Sequence, residues 1–214
     1  MKDLGNYRKS YERSQLIESE IPDEPIALFS KWFHETEAQG ETGEVNAMTI
    51  STIGLDGFPK SRVVLLKEFS PAGFVFYTNY NSEKGRAIAE NSNVCLSFFW
   101  PASERQVIIK GIASKTTAEE SDAYFNSRPE GSRLGAIVSD QSSIISSRNE
   151  IEMLLKQYAE EASNQNIQRP PHWGGYRVLP LAVEFWQGRP NRLHDRILYK
   201  YDYSNRWQRM RLAP

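Results

Sequence analysis

The spacing of apolar and polar positions changes period several times along the chain. Residues 1–20 are mostly polar and charged, with Tyr7, Tyr11, Leu16 and Ile17 as the few apolar points, and read as an arm that orders on contact. Asp23 followed by Pro25 starts a helix in which Ile26, Phe29 and Phe33 recur at helical spacing beside Leu28 and Trp32, ending near Gly40. The pattern then turns to strands. "AMTISTIG" is followed by "LDGF", whose Asp56-Gly57 pair signals a hairpin, and "PKSRVVLLKEF" returns. "AGFVFYTN" is a third strand and "SEKGRAIAEN" a short helix weakened by Gly85; "NVCLSFFW" and "ERQVIIKGIASKT" are two more strands broken at Pro101. Strands in close succession, joined mostly by short turns, favour an antiparallel sheet or barrel over alternating βαβ units.

Helices follow. Thr117 with Glu120 forms a capping box for "TAEESDAYFNSRP", "GSRLGAIVSD" is a second short helix, and Ser147 with Glu150 caps a third with Ile151, Leu154, Leu155 and Tyr158 on one face. "QNIQRPPHWGG" reads as a loop, and "YRVLPLAVEFWQG", "RLHDRILYKYD" and "RWQRMRL" close the chain as strands. The expected fold class is α+β, an antiparallel β-barrel core with helices inserted between strands. Residues 21–214 then form a single domain, preceded by the arm at 1–20.

Composition narrows the function classes. The 214 residues are 39% hydrophobic and 25% charged, as in a soluble globular protein, with a net charge of −1. Nucleic-acid binders and membrane-surface proteins usually carry a basic excess, so neither partner is expected and any anion recognition must be local. The one cysteine, Cys95, lies in an apolar run and reads as an inert buried thiol. No apolar stretch reaches the ~20 residues needed to span a bilayer, and the N-terminus lacks a signal-peptide core, so a cytoplasmic location is expected. His34, His172 and His194 are far apart, no Cys/His set has zinc-ligand spacing, and the common nucleotide-loop and nucleophile-elbow patterns are absent, so no metal site is expected.

The cations of "GRPNRLHDR" need an account. On a strand, Arg192, His194 and Arg196 share one face, with Leu193 and Ile197 opposite. That face is either solvated or meets an anion. Arg62 and Lys67 flank four aliphatics and, five apart, point to opposite faces of a regular strand, so one shared ligand requires a bend or bulge. Tyr124 and Arg128 share a helix face with Ser132 just beyond, a set suited to a phosphate or to an ordinary surface pair.

Taken together, "RVVLLK", "FYTN", "SEKG", "ERQV", "YFNSRP", "QSS", "WGGYRV", "EFWQG", "RLHDR" and the terminal "RLAP" resemble, in order and spacing, the pyridoxamine/pyridoxine 5′-phosphate oxidase family from about residue 8 onward. The resemblance implies an FMN-dependent split β-barrel of Greek-key type and a homodimer with FMN in clefts between subunits. It implies a flavin site at Arg62, Val63, Val64, Leu65, Leu66, Lys67, Tyr77, Thr78, Lys84, Gln106, Gln141, Ser142, Trp186 and Arg196. The substrate phosphate would be held by Lys67, Tyr124, Arg128 and Ser132. Arg192, Leu193 and His194 would face the pyridine ring, with Arg192 and His194 as the catalytic pair, and Arg8 and Tyr11 match an arm that covers the substrate. The implied reaction oxidises pyridoxamine or pyridoxine 5′-phosphate to pyridoxal 5′-phosphate with dioxygen. One position departs from the family pattern: Glu83 stands where an arginine usually precedes the lysine, and is expected to turn to solvent, leaving Arg62 and Lys84 to carry the FMN phosphate. The alternatives are a split-barrel flavoprotein with another substrate, a non-catalytic FMN or pyridoxal phosphate carrier, and a β-barrel nucleic-acid binder.

Overall fold

The computed structural model describes residues 2–7, 9–41, 43–162, 167–202 and 206–214. Arg8, and residues 165 and 166 of the expected loop, lie outside them. The elements run α1 (Pro25–Gln39), β1 (Ala47–Ile53), β2 (Pro59–Leu65), β3 (Glu68–Ser70), β4 (Gly73–Asn79), α2 (Glu83–Glu90), β5 (Asn93–Trp100), β6 (Arg105–Lys115), α3 (Ala118–Ser127), α4 (Glu130–Val138), α5 (Arg148–Ala162), β7 (Trp173–Gln187), β8 (Asp195–Tyr201) and β9 (Trp207–Leu212). Strand order is β2-β1-β5-β6-β7-β4-β3, with β8 paired to β7 and β9 to β8. The chain divides into two compact units: Met1–Ile50, Cys95–Gly111 and Pro180–Pro214 form the first, Ser51–Val94 and Ile112–Leu179 the second.

In the first unit, Leu28, Phe29 and Trp32 of α1 are buried. Phe29 meets Phe98 edge-on at 5.1 Å and Trp32 meets Phe185 at 5.2 Å, the T-shaped contacts that aromatic quadrupoles favour. The second half of β7 pairs antiparallel with β8, and β8 with β9. Residues 12–18 also pack on this unit: Leu16 is buried and its N–H donates to Asp195 Oδ2 at 3.1 Å. In the second unit β4 lies between β3 and the first half of β7. Phe74, Phe76, Tyr176 and Val178 are buried there.

Several expectations change. "PKSRVVLLKEF" is two strands: β2 ends at Leu65, Leu66 turns into the core, and the Lys67 N–H donates to Val75 O at 2.8 Å. The alternation that put Arg62 and Lys67 on opposite faces stops at that break. β8 begins only at Asp195, because Pro190–Arg192 forms a 3₁₀ turn in which Asn191 and Arg192 take φ of 57° and 62°. A left-handed turn has no two-residue alternation, so the shared strand face of Arg192, His194 and Arg196 does not exist. β7 starts earlier than expected, with Trp173, Gly174 and Gly175 paired to Asn79, Thr78 and Tyr77 rather than lying in a loop. The Thr117–Glu120 capping box forms, whereas Glu150 accepts from the N–H and hydroxyl of Ser146 instead of Ser147. Leu154, Leu155 and Tyr158 on α5 stay substantially exposed. Gly85 is a packing requirement more than a weakness, since a Cβ there would collide with the Tyr80 carbonyl.

Candidate functional site

The second unit contains a cavity of about 720 Å³ whose walls include Arg62, Val63, Val64, Leu65 and Lys67 from β2 and the break after it. Tyr77, Thr78, Lys84, Tyr124, Arg128, Ser132, Gln141 and Trp173 also line it. The strand break therefore resolves the parity problem: Arg62 and Lys67 reach one cavity. Tyr77 and Tyr124 stack with ring centroids 3.9 Å apart, and Tyr77 stacks on Trp173 at 5.6 Å, forming an aromatic wall.

The electrostatics of this cavity favour an anion. Lys84 is buried on α2, and its ammonium donates to Gln141 Oε1 (2.8 Å), Thr78 Oγ1 (3.0 Å) and Ser82 Oγ (3.4 Å), all neutral acceptors. Burial, reinforced by the Arg62 charge, brings its pKa down to about 8. Arg62 donates to Thr52 Oγ1 and the Lys60 carbonyl, both at 2.8 Å, and desolvation lowers its pKa too. The Arg128 guanidinium lies 4.6 Å over the Trp173 ring, and its buried Nη1 has no hydrogen-bond partner among the described residues. A buried donor without an acceptor costs roughly 1–3 kcal/mol, and a phosphate oxygen would remove that cost.

Glu83 does not simply turn to solvent. Its two carboxylate oxygens lie 2.7 and 2.6 Å from Lys60 Nζ, and this hydrogen bond, ahead of the attraction of Lys60 and Arg62, lowers its pKa. The Glu83 N–H donates to Ser142 Oγ at 3.2 Å.

A second cavity, about 760 Å³, lies in the first unit and is lined by Tyr7, Lys9, Ser10, Tyr11, Arg189, Asn191, Arg192 and His194. His194 Nδ1 accepts the Arg189 N–H at 3.1 Å, so a neutral ring carries its proton on Nε2. Desolvation, then the Arg192 charge, lowers the His194 pKa and favours that neutral form. The His194 ring packs on Trp186 at 4.6 Å, and Tyr11 meets Trp186 edge-on at 5.7 Å.

Six expected residues line neither cavity. Leu66 is buried, Gln106 is half-buried on β6, and Leu193 is exposed. Ser142 accepts the Glu83 N–H, Trp186 backs His194, and Arg196 on β8 donates to Glu184 Oε1 and the Ala213 carbonyl, each at 2.8 Å. Conversely, Trp173, Lys9, Ser10, Arg189 and Asn191 line cavities without having been singled out. Trp173 heads the quoted "WGGYRV", and Lys9 and Ser10 lie between Arg8 and Tyr11, so adjacency to matched segments was the available signal.

Comparison with known proteins agrees with this architecture. Residues 35–162 match the family model described as pyridoxamine 5′-phosphate oxidase, and residues 173–214 match the pyridoxine 5′-phosphate oxidase C-terminal dimerisation region. A pyridoxine/pyridoxamine 5′-phosphate oxidase of Flavobacterium johnsoniae is 65% identical over 213 residues, covering 100% of both chains. One from Thermosynechococcus vestitus is 49% identical over 214 residues, again covering 100% of both. Among solved structures, PhzG from Burkholderia lata in complex with tetrahydrophenazine-1-carboxylic acid superposes with a TM-score of 0.86 at 28% identity, covering 93% of this chain and 98% of that one. A pyridoxamine 5′-phosphate oxidase-related, FMN-binding protein of Nostoc punctiforme shares the fold, with a TM-score of 0.71 at 14% identity, over 91% of this chain and 100% of that one. The fold class is thus the α+β antiparallel split barrel.

Proposed function

The chain belongs to the pyridoxamine 5′-phosphate oxidase family, and from that premise we propose that it oxidises pyridoxamine and pyridoxine 5′-phosphates to pyridoxal 5′-phosphate. The cofactor is FMN and the acceptor dioxygen, with hydrogen peroxide released, and ammonia as well from the amine. The observation that carries this reading is a pair of cations lining one cavity, the buried Lys84 and the half-buried Arg128: among the described residues the first donates to neutral acceptors and the second has a buried Nη1 without a partner. A neutral substrate would have no use for Arg128, and a cofactor without a phosphate none for Lys84.

FMN, when bound, supplies the acceptor for the hydride equivalent leaving C4′. The chain's own groups bind and orient. Arg62, Lys84, Thr78 and Gln141 would hold the cofactor phosphate, and Lys67, Tyr124, Arg128 and Ser132 the substrate phosphate. Arg192 would orient C4′, and His194, neutral and protonated on Nε2, offers one donor to the pyridine ring. The arm, through Tyr11, would cover the substrate. Residues serving one reaction line two different cavities of the chain; a homodimer with FMN in clefts between subunits would allow both sets to act on the same ligands. The match to a dimerisation region supports that assembly.

The deciding assay is peroxide release from pyridoxamine 5′-phosphate by FMN-loaded protein. Turnover supports the reading; binding of FMN without turnover of either B6 phosphate would point to a different substrate.

Two further outcomes are expected at the cofactor phosphate. Because Lys84 titrates near pH 8 in the free protein, phosphate binding above that pH must take up a proton. FMN affinity should therefore fall as pH rises through about 8, approaching tenfold per pH unit, and Lys84→Met should flatten the dependence. Affinity independent of pH between 7 and 9 would remove Lys84 from the phosphate site. Glu83→Arg removes an acid beside Arg62 and releases Lys60, and should tighten FMN by up to about tenfold. Unchanged affinity across a salt series would confine Glu83 to holding Lys60.

A further inference from the structure

Glu104 has no role in the readings above, yet it is one of the most buried charged residues in the chain, 2% exposed, in the turn between β5 and β6. A buried carboxylate is costly unless its oxygens are satisfied. Glu104 Oε2 accepts two backbone N–H groups of the arm, Glu12 at 2.8 Å and Arg13 at 3.0 Å, and Oε1 lies 3.6 Å from Lys9 Nζ. Its own carbonyl accepts the Gly188 N–H at 2.8 Å and Gln187 Nε2 at 3.2 Å. One residue therefore grips both the arm and the end of β7 that leads into the Arg192–His194 turn. It does so with φ of 56°, an uncommon backbone state for a non-glycine residue that the surrounding bonds hold in place.

Gly188 completes the arrangement. A Cβ there would come within 2.7 Å of the Tyr11 ring. The absent side chain makes room for Tyr11 to lie edge-on to Trp186, beside His194. We propose that Glu104 is a positioning residue: by clamping the main chain at Glu12 and Arg13 it holds the arm against the protein, and so keeps Tyr11 seated over Gly188 as one wall of the cavity containing Arg192 and His194. Main-chain donors make the clamp insensitive to the side chains at 12 and 13. Register itself comes from side chains on either side of the clamp, Tyr11 against Gly188 and the buried Leu16, while the clamp holds the main chain down between them. Beyond the clamp, Arg189 Nη1 donates to Ser14 O (3.1 Å) and Arg211 Nη2 to Leu16 O (2.7 Å), so the segment after Arg13 is held independently. The function assigned to the seated arm, substrate orientation, rests on the reading proposed above.

The test uses the FMN-loaded full chain and three variants, Glu104→Ala, Glu104→Gln and Gly188→Ala. Two quantities are followed: trypsin cleavage after Lys9 and Arg13, and steady-state kinetics with pyridoxamine 5′-phosphate. Glu104→Ala should speed cleavage at both sites and raise KM by about tenfold each, with kcat and FMN affinity little changed. Glu104→Gln keeps an acceptor oxygen and should recover most of both effects. Gly188→Ala should raise KM by displacing Tyr11 while the Arg13 site stays protected. If Glu104→Ala does not fold, Glu104→Met, similar in shape but without an acceptor for the two N–H groups, takes its place with the same expected results. Cleavage unchanged in both Glu104 variants overturns the clamp, and faster cleavage with unchanged KM overturns its role in seating the substrate wall. Should the unsubstituted protein not turn over the substrate, the functional reading fails, and the clamp is judged by cleavage alone.

Discussion

Replacing Arg192 by leucine is expected to leave the protein flavin-loaded and to lower kcat/KM for pyridoxamine 5′-phosphate by about 2–4 kcal/mol in barrier terms, roughly 30- to 1,000-fold. Arg192 lines the first unit's cavity beside His194 and is exposed there, and the pKa of His194 registers its charge. Its backbone sits at φ 62° directly after Asn191 at φ 57°. Asn191 takes the left-handed region readily, whereas Arg192 there stores strain of order 1–3 kcal/mol that the surrounding structure offsets. Leucine inherits the same backbone, so the substitution isolates the guanidinium. Lysine should rescue poorly, because an ammonium lacks the planar fork. Arg196→Leu is the contrasting variant. Arg196 lies on β8, its fork engaged by Glu184 and the Ala213 carbonyl. Arg196 lines neither cavity, so the flavin role that the resemblance implies would be exercised across the proposed subunit cleft; on that reading its loss should weaken FMN binding, with activity largely restored by excess FMN. The check is FMN dissociation constants and steady-state rates for both variants side by side. Flavin loss in the Arg192 variant with retention in the Arg196 variant would reverse the two assignments.

Arg128→Leu should produce the second large effect, a rise in KM for pyridoxamine 5′-phosphate of about 30- to 100-fold, as for loss of charge-assisted phosphate contacts. Stability should move the other way. The Nη1 of Arg128 is buried without a partner among the described residues, and desolvation lowers the guanidinium pKa. Removing it from the substrate-free protein relieves that penalty and loses only the stacking on Trp173, about 0.5–2 kcal/mol. The thermal midpoint should therefore hold or rise slightly. A falling midpoint with unchanged KM would make Arg128 a structural prop for Trp173 instead of a phosphate ligand.

What was legible in the chain depended on how local the governing physics is. Alternation and turn chemistry place most strands correctly, the Asp56-Gly57 turn and the Thr117–Glu120 capping box included, because these signals act within a few residues. The quoted motifs point to the family and to Arg62, Lys67, Tyr124, Arg128 and Ser132, which the fold brings to one cavity. Alternation failed where the backbone leaves the strand. The break at Leu66 and the left-handed turn at Asn191 and Arg192 each follow from contacts and hydrogen bonds made elsewhere, and neither leaves a periodic trace. Partnerships across long stretches of sequence were equally illegible: Glu83 with Lys60, Glu104 with the arm, the unpartnered Nη1 of Arg128. The sequence by itself determined the fold class and the residue types of the site, since period, propensity and motif spacing are properties of neighbouring residues. Only the tertiary structure decided which cations lack an acid, which acid is already neutralised, and which side chains reach a common cavity, because burial and charge pairing exist only once distant segments have packed.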